Sequence, residues 1–140
     1  MEKTLFIIKP DAVRRNIIGK ILFIVEEKKF KITNLRMVTF SEETAKEFYA
    51  IHREKPFFKE LIKFITSSSS VCCLLERKNA VFELRKLVGL TDPLKSPPET
   101  VRRCYGTNIQ MNAVHASDTV ENAKREIDII FGKKIKGLNS

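Results

Sequence analysis

Apolar and polar positions alternate along the chain with two periods. "TLFII" at 4–8 is an unbroken apolar run stopping before Lys9-Pro10, and it reads as a buried strand. Ile17, Ile18, Ile21, Leu22 and Val25 recur at helical spacing, predicting a helix over 17–29 that runs out in Glu26, Glu27, Lys28 and Lys29. "KITNLRMVTF" predicts a second strand. Ser41 suits an N-cap, with Glu42 and Glu43 favourable in the first turn that follows. That helix carries Ala45, Phe48 and Tyr49 on one stripe and is expected to end before Pro56. Phe57, Phe58, Leu61, Ile62 and Ile65 predict a further helix, and "VCCLLE" a third strand. Asn79 is expected to cap a helix that Gly89 closes. Residues 90–99 form a proline-rich loop without periodicity, and "MNAVHAS" at 111–117 reads as the fourth strand. Ser117 or Asp118 is expected to start a last helix with Val120, Ala123, Ile127 and Ile130 facing inward. This order predicts one α+β domain over 1–140: a ferredoxin-like, four-stranded antiparallel sheet with helices on one face. Residues 131–140 read as a loosely held basic tail.

Composition narrows the class. A chain of 140 residues is long enough for a core, and 43% hydrophobic with 31% charged residues fits a globular protein. No stretch approaches the ~18 apolar residues of a membrane span; even "IIGKILFIV" is broken by Gly19 and Lys20. The start, "MEKTLFIIKPD", has too short an apolar run for a signal peptide, so the expectation is a cytoplasmic protein without a membrane partner. Cys72 and Cys73 would face opposite sides of a strand, and no Cys/His spacing suits zinc. Three buried or half-buried thiols, Cys104 included, are expected. The net charge of +9 favours polyanionic partners, whether nucleotide phosphates, nucleic acid or an acidic membrane surface, without choosing among them.

Candidate chemistry gathers at "NAVHASD". His115 would sit at a strand end beside a helix N-terminus, a place suited to an anion. Ser117 is two residues on, and Glu126 follows along the helix. A carboxylate that fixes one imidazole nitrogen leaves the other free as a nucleophile. The alternative is that Ser117 is a cap and Glu126 a solvated charge. With five glycines and neither a P-loop nor a dinucleotide fingerprint, phosphates would have to be held by side chains such as Lys9, Arg85, Thr91 and Arg102.

"FIIKPDAVRR" at 6–15, "YAIHREKPFF" at 49–58, "TDP" at 91–93 and "NAVHASD" at 112–118 together resemble the nucleoside diphosphate kinases, without gaps from about Thr4 to Phe131. The resemblance implies ping-pong transfer of a terminal phosphoryl group from a nucleoside triphosphate such as ATP to a nucleoside diphosphate, through a phosphohistidine on His115. Nδ1 would attack, while Glu126, steadied by Ser117, orients the ring. It further implies that Lys9 contacts the ribose and the transferred group, that Tyr49 stands beside the histidine, and that Arg85, Thr91 and Arg102 clamp the phosphates. Asn112 would contact the sugar, and Phe57 would stack on the base opposite Ile109. Mg²⁺ would arrive on the phosphates, touching Asp118 through water. His52, Arg53 and Lys55 are read as solvated and left outside the site.

The chain departs from the family pattern where Ala116 replaces a glycine after the histidine. Its methyl is a candidate for crowding the phosphorylated ring or an unusual backbone angle. Ala12 and Asn16 also replace glycines, Ser68-Ser69 a Gly-Pro turn, and Arg103-Cys104 a Gly-Asp pair. The resemblance implies a homo-oligomer, a hexamer or a tetramer built from dimers. Pro93 matches a subunit-contact position, and the expectation is a chain without the long C-terminal segment that often holds the hexamer, which leaves the oligomer's size open. Competing readings are a nucleic-acid-binding domain, which lacks paired strand aromatics, and a scaffold whose chemistry Ala116 has blocked. Secondary nucleic-acid binding, or phosphotransfer to protein histidines, would be compatible with the kinase reading.

Overall fold

The computed structural model describes residues 1–132. Four strands, β1 (Glu2–Ile8), β2 (Lys31–Val38), β3 (Ser70–Arg77) and β4 (Val114–Ala116), form a sheet of order β2-β3-β1-β4 in which every neighbouring pair is antiparallel. Seven α-helices join them: α1 (Pro10–Arg14), α2 (Ile18–Glu27), α3 (Glu42–Phe48), α4 (Phe58–Ile65), α5 (Ala80–Val88), α6 (Val101–Tyr105) and α7 (Val120–Ile130). Single 3₁₀ turns lie at Ala50–His52 and Pro93–Lys95.

The four antiparallel strands match the sequence reading; the expectation of helices on one face does not hold. Phe6, Ile8, Val71, Cys73 and Leu75 pack with Ile21 and Val25 of α2 and Leu84 and Val88 of α5. On the opposite face Leu5, Ile7, Cys72 and Leu74 pack with Phe48 of α3, Ile62 and Ile65 of α4 and Ile130 of α7. The reason is visible in the strands themselves. β1 and β3 are apolar at both parities, and such strands must be covered on both sides. Each fully buried Leu, Ile or Phe contributes roughly 1.5–3 kcal/mol, so neither layer is dispensable.

Local differences have local causes. Helices α1 and α6, five residues each, were not anticipated, because one turn cannot display a period. Ser41 caps α3 as expected, accepting from Thr44 N at 3.1 Å. Asn79 does not cap α5: it sits at φ 56° with no side-chain cap bond, and Val81 N instead donates to Glu2 Oε2 at 2.8 Å, from far away in sequence. Gly89 closes that helix at φ 97°. Neither Ser117 nor Asp118 caps α7; Thr119 does, accepting from Asn122 N at 3.0 Å. This rotates Val120 outward to 52% exposure, while Ala123 and Ile130 face the core. Cys72 and Cys73 point to opposite faces and are fully buried, but Cys104 is exposed. Phe131, expected in a loose tail, is buried; residues 133–140 of that tail lie outside the described residues. Among the described residues no helix is long and apolar enough to cross a membrane.

The loop from 89 to 106 folds back on itself around one contact. A Cβ on Gly106 would lie 2.6 Å from Pro93 Cγ and 2.7 Å from Arg102 O. Gly106→Ala is therefore expected to destabilise the fold by about 1–3 kcal/mol, read as a lowered midpoint of thermal unfolding.

Candidate active site

The cleft is built where β4 meets the loops at the sheet's end. Ile7 pairs with His115, so the imidazole projects on the α3–α4–α7 face, while Val114 and Ala116 project into the opposite core. The methyl of Ala116 thus points away from the imidazole, and its φ is not positive. Ala116 lines the cleft, and its backbone adopts no left-handed angle that would demand a glycine. Among the replaced glycines, Asn16 does occupy a left-handed conformation, at φ 58°.

One oxygen of Glu126 serves two partners. Oε1 lies 2.9 Å from His115 Nε2 and accepts from Ser117 Oγ at 2.6 Å. Burial pushes this carboxyl up, but the hydrogen bond and charge of His115, the Ser117 hydroxyl and the Arg125 charge outweigh it, holding Glu126 below the usual carboxylate range. The ionised acid therefore holds the Nε2 proton in place, and no hydrogen bond among the described residues engages Nδ1. Phe48 and Tyr49 set the ring edgewise, at centroid distances of 5.2 and 6.2 Å. Burial first, then the Glu126 charge, raises the Tyr49 phenol and keeps it protonated.

Cations line the remaining wall. Arg102 is buried and locked by bonds to Gly89 O (3.2 Å) and Val114 O (2.9 Å), its Nε having no partner among the described residues. Burial and the neighbouring Arg85 lower it to about 10, so it stays charged at neutral pH. Arg85 reaches Ala116 O at 3.2 Å. Lys9 donates to Asn112 Oδ1 at 2.7 Å, and Asn112 Nδ2 donates to the carbonyls of Thr91 and Ile109 at 2.9 Å each. Burial, reinforced by Arg102, pulls the Lys9 ammonium down to about 8, with Asp11 opposing. Only the charged form compensates an anion, so affinity for an anion held beside Lys9 is expected to fall as pH rises through about 8. Lys9→Arg would remove that alkaline fall, which binding measured across pH checks.

Tyr49, Arg85, Thr91, Arg102, His115, Asp118 and Glu126 thus line one cleft of about 220 Å³, with Lys9, Asn112 and Ser117 bonded around it. Phe57 and Ile109 do not line it; they stand 49% and 61% exposed, with Phe57 against the His52 ring at 5.6 Å. His52, which the sequence reading left outside, does line the cleft and stacks on Tyr49 at 6.4 Å. Burial, Lys55 and His115 lower its pKa. Its position three residues after Tyr49 was the available signal. Arg125 was also missed. It donates to Glu47 O and Phe48 O at 3.2 and 3.0 Å, tying the end of α3 to the helix that carries Glu126.

A profile described as Nucleoside diphosphate kinase matches residues 2–135. The chain is 47% identical over 133 residues to the nucleoside diphosphate kinase of Campylobacter lari, covering 95% of this chain and 97% of that one. The chain belongs to the nucleoside diphosphate kinase family. Solved nucleoside diphosphate kinases share the fold. That of Aquifex aeolicus superposes with a TM-score of 0.91 at 42% identity, covering 94% of this chain and 96% of its own. That of Halobacterium salinarum, in complex with CDP, does so with a TM-score of 0.91 at 36% identity, covering 95% and 89%. As a nucleoside diphosphate kinase, the chain is a nucleotide-binding phosphotransferase of a family that works by ping-pong transfer through a phosphohistidine.

Proposed function

We propose that His115 is the residue that carries the phosphoryl group, and that Lys9, Tyr49, Arg85, Thr91, Arg102, Asn112, Ser117 and Glu126 serve it in the roles their positions suggest. The observation that carries this reading is the Glu126 Oε1 contact, which occupies Nε2 and leaves the Nδ1 lone pair for the cleft. Nδ1 attacks the terminal phosphorus, the bond to the bridging oxygen breaks, and the nucleoside diphosphate departs with those electrons. A second diphosphate reverses the step. Such transfer needs in-line placement and compensation of charge more than a strong base, and positive charge comes from Arg85 of α5, Arg102 of α6 and Lys9, bonded beside the cleft between β1 and α1. Asn112 and Lys9, joined by their 2.7 Å bond, suit the sugar hydroxyls. Phe57 and Ile109 suit the base, because an exposed apolar wall stacks on any π-face for roughly 1–3 kcal/mol.

Among the described residues no three His, Cys, Asp or Glu gather into a metal cage, whereas Asp118 puts one carboxylate in the cleft. Hydrogen bonding from Asn122 chiefly keeps that carboxyl below its ordinary range and ionised. This donor set suits Mg²⁺ held mainly by nucleotide phosphates, with Asp118 reaching it through water, where the ion would neutralise phosphate charge.

A homo-oligomer belongs to the same reading. β2 is an edge strand, and it presents the exposed Leu35 and Met37. Pairing of that edge with a second copy would cover it. Sedimentation of the wild type against Met37→Lys tests this, with dissociation expected.

The test of the phosphoryl carrier is intact-mass analysis after incubation with ATP and Mg²⁺. An acid-labile adduct of one phosphoryl group, mapped to His115 and discharged by GDP to give GTP, is the expected result. Its absence in folded protein that binds ATP would overturn the assignment.

A further inference from the structure

Asp11 is buried and lies outside the cleft, and so far its one visible effect is to favour the charged form of Lys9. Its Oδ2 accepts from the backbone N of Ala113 at 3.1 Å, while Oδ1 has no partner among the described residues. Ala113 is itself unusual. It is a non-glycine residue at φ 76°, and Val114 N donates across it to Asn112 O at 2.9 Å. Those two facts define a γ-turn of the strained, positive-φ kind. Every polar group of Ala113 is spent on the segment that opens α1: its N–H on Asp11, its carbonyl on Lys9 N at 2.8 Å.

The turn separates two residues of the site by one position. Asn112 precedes it and bonds Lys9 Nζ; Val114 follows it and begins the strand that carries His115. An alanine would leave this conformation unless its surroundings fixed it. Without the carboxylate, the Ala113 N–H would be a buried donor with no acceptor, and a relaxed φ would swing Asn112 away from the histidine.

We propose that Asp11 is a positioning residue: its carboxylate holds Ala113 in the γ-turn and thereby sets Asn112 and His115 in mutual register. The inference rests on His115 being the phosphoryl carrier. It concerns a residue outside the cleft, and it accounts for a buried acid whose charge otherwise acts only on Lys9.

The test uses the full chain and the single-turnover rate at which the phosphoenzyme forms from ATP and Mg²⁺, with ADP affinity by calorimetry. Asp11→Ala is expected to slow phosphoenzyme formation about 10- to 100-fold, since misplacing reacting groups is costly while the cations on other elements stay in place. ADP affinity is expected to fall by less than the rate does, because Asn112 is one sugar contact among several groups and Arg85 and Arg102 stay in place. Asp11→Asn keeps an oxygen that can accept the Ala113 N–H, and should fall between. The decisive variant is Asp11→Ala combined with Ala113→Gly. Glycine adopts φ 76° without steric strain, so the double variant should regain part of the lost rate although it leaves the N–H of residue 113 without its acceptor. A purely structural role would not produce that recovery. Circular dichroism identifies variants that fold; should Asp11→Ala fail to, Asp11→Asn against Asp11→Asn with Ala113→Gly carries the same comparison. Wild-type rates in the folded single variants, or no recovery on adding glycine, would overturn the proposal. Failure of the wild type itself to label His115 would overturn the carrier assignment, and this inference with it.

Discussion

His115→Asn is expected to abolish the phosphoenzyme and to lower turnover by about 10⁴-fold or more, the scale on which loss of a nucleophile acts. The asparagine amide fills part of the same space, so the change tests chemistry more than folding. The ring is half-buried and contacts Phe48 and Tyr49 by its edge. Loss of those contacts should cost little stability beside the loss of rate. Nucleotide affinity should persist, because Arg85, Arg102 and Lys9 are held by their own backbone and side-chain partners. Steady-state turnover together with ADP binding checks both halves. A variant that keeps near-normal turnover would move the carrier elsewhere.

Glu126 is expected to produce the second-largest loss, and two substitutions separate its two contributions. Glu126→Gln leaves an oxygen able to accept from both Ser117 and Nε2, so it preserves the ring's orientation and tautomer while removing the charge. Glu126→Ala removes both and leaves the Ser117 hydroxyl buried without its partner. The glutamine variant should lose about 10- to 100-fold in phosphoenzyme formation, by analogy with groups that orient a reacting ligand from behind. The alanine variant should lose about 10²–10³-fold and also about 1–3 kcal/mol of stability. The pH dependence has a definite sign. Glu126 is held below its unfolded value in the native protein, so its contribution is complete above the ordinary carboxylate range. It is lost as pH falls through the depressed native value. Acid unfolding of wild type and Glu126→Gln should therefore converge at low pH and separate as pH rises.

Much of the architecture was readable because it is repetitive. The apolar runs of β1 and β3 and the stripes of α2, α4 and α5 declare themselves within a single window of sequence. The same runs contained the evidence against a one-faced sheet, since Leu5 and Phe6, or Cys72 and Cys73, cannot point the same way. What could not be read was set by partners distant along the chain. Glu2 displaces Asn79 as the acceptor at the start of α5, and Arg125 secures the end of α3. The site divides along the same line. His115, Ser117 and Glu126 stand within twelve residues and could be grouped by spacing, then sharpened by the family motifs. His52 offered only its spacing from Tyr49, whose ring it stacks on, and Asp11 offered nothing, because its importance lies in the strained peptide it touches.

The paired cysteines of β3 carry a consequence for motion. Cys72 and Cys73 are adjacent in sequence, fully buried, and pushed up to about 12 by burial, so neither reacts while the native packing holds. Each becomes labelled only when its own side of the sheet opens: Cys73 when the α2–α5 layer lifts, Cys72 when the α3–α4–α7 layer does. Their alkylation kinetics therefore form two clocks one residue apart. Equal rates would mean that the protein breathes as one unit. A faster Cys72 would mean that the layer over the histidine loosens by itself while the other half of the molecule stays shut.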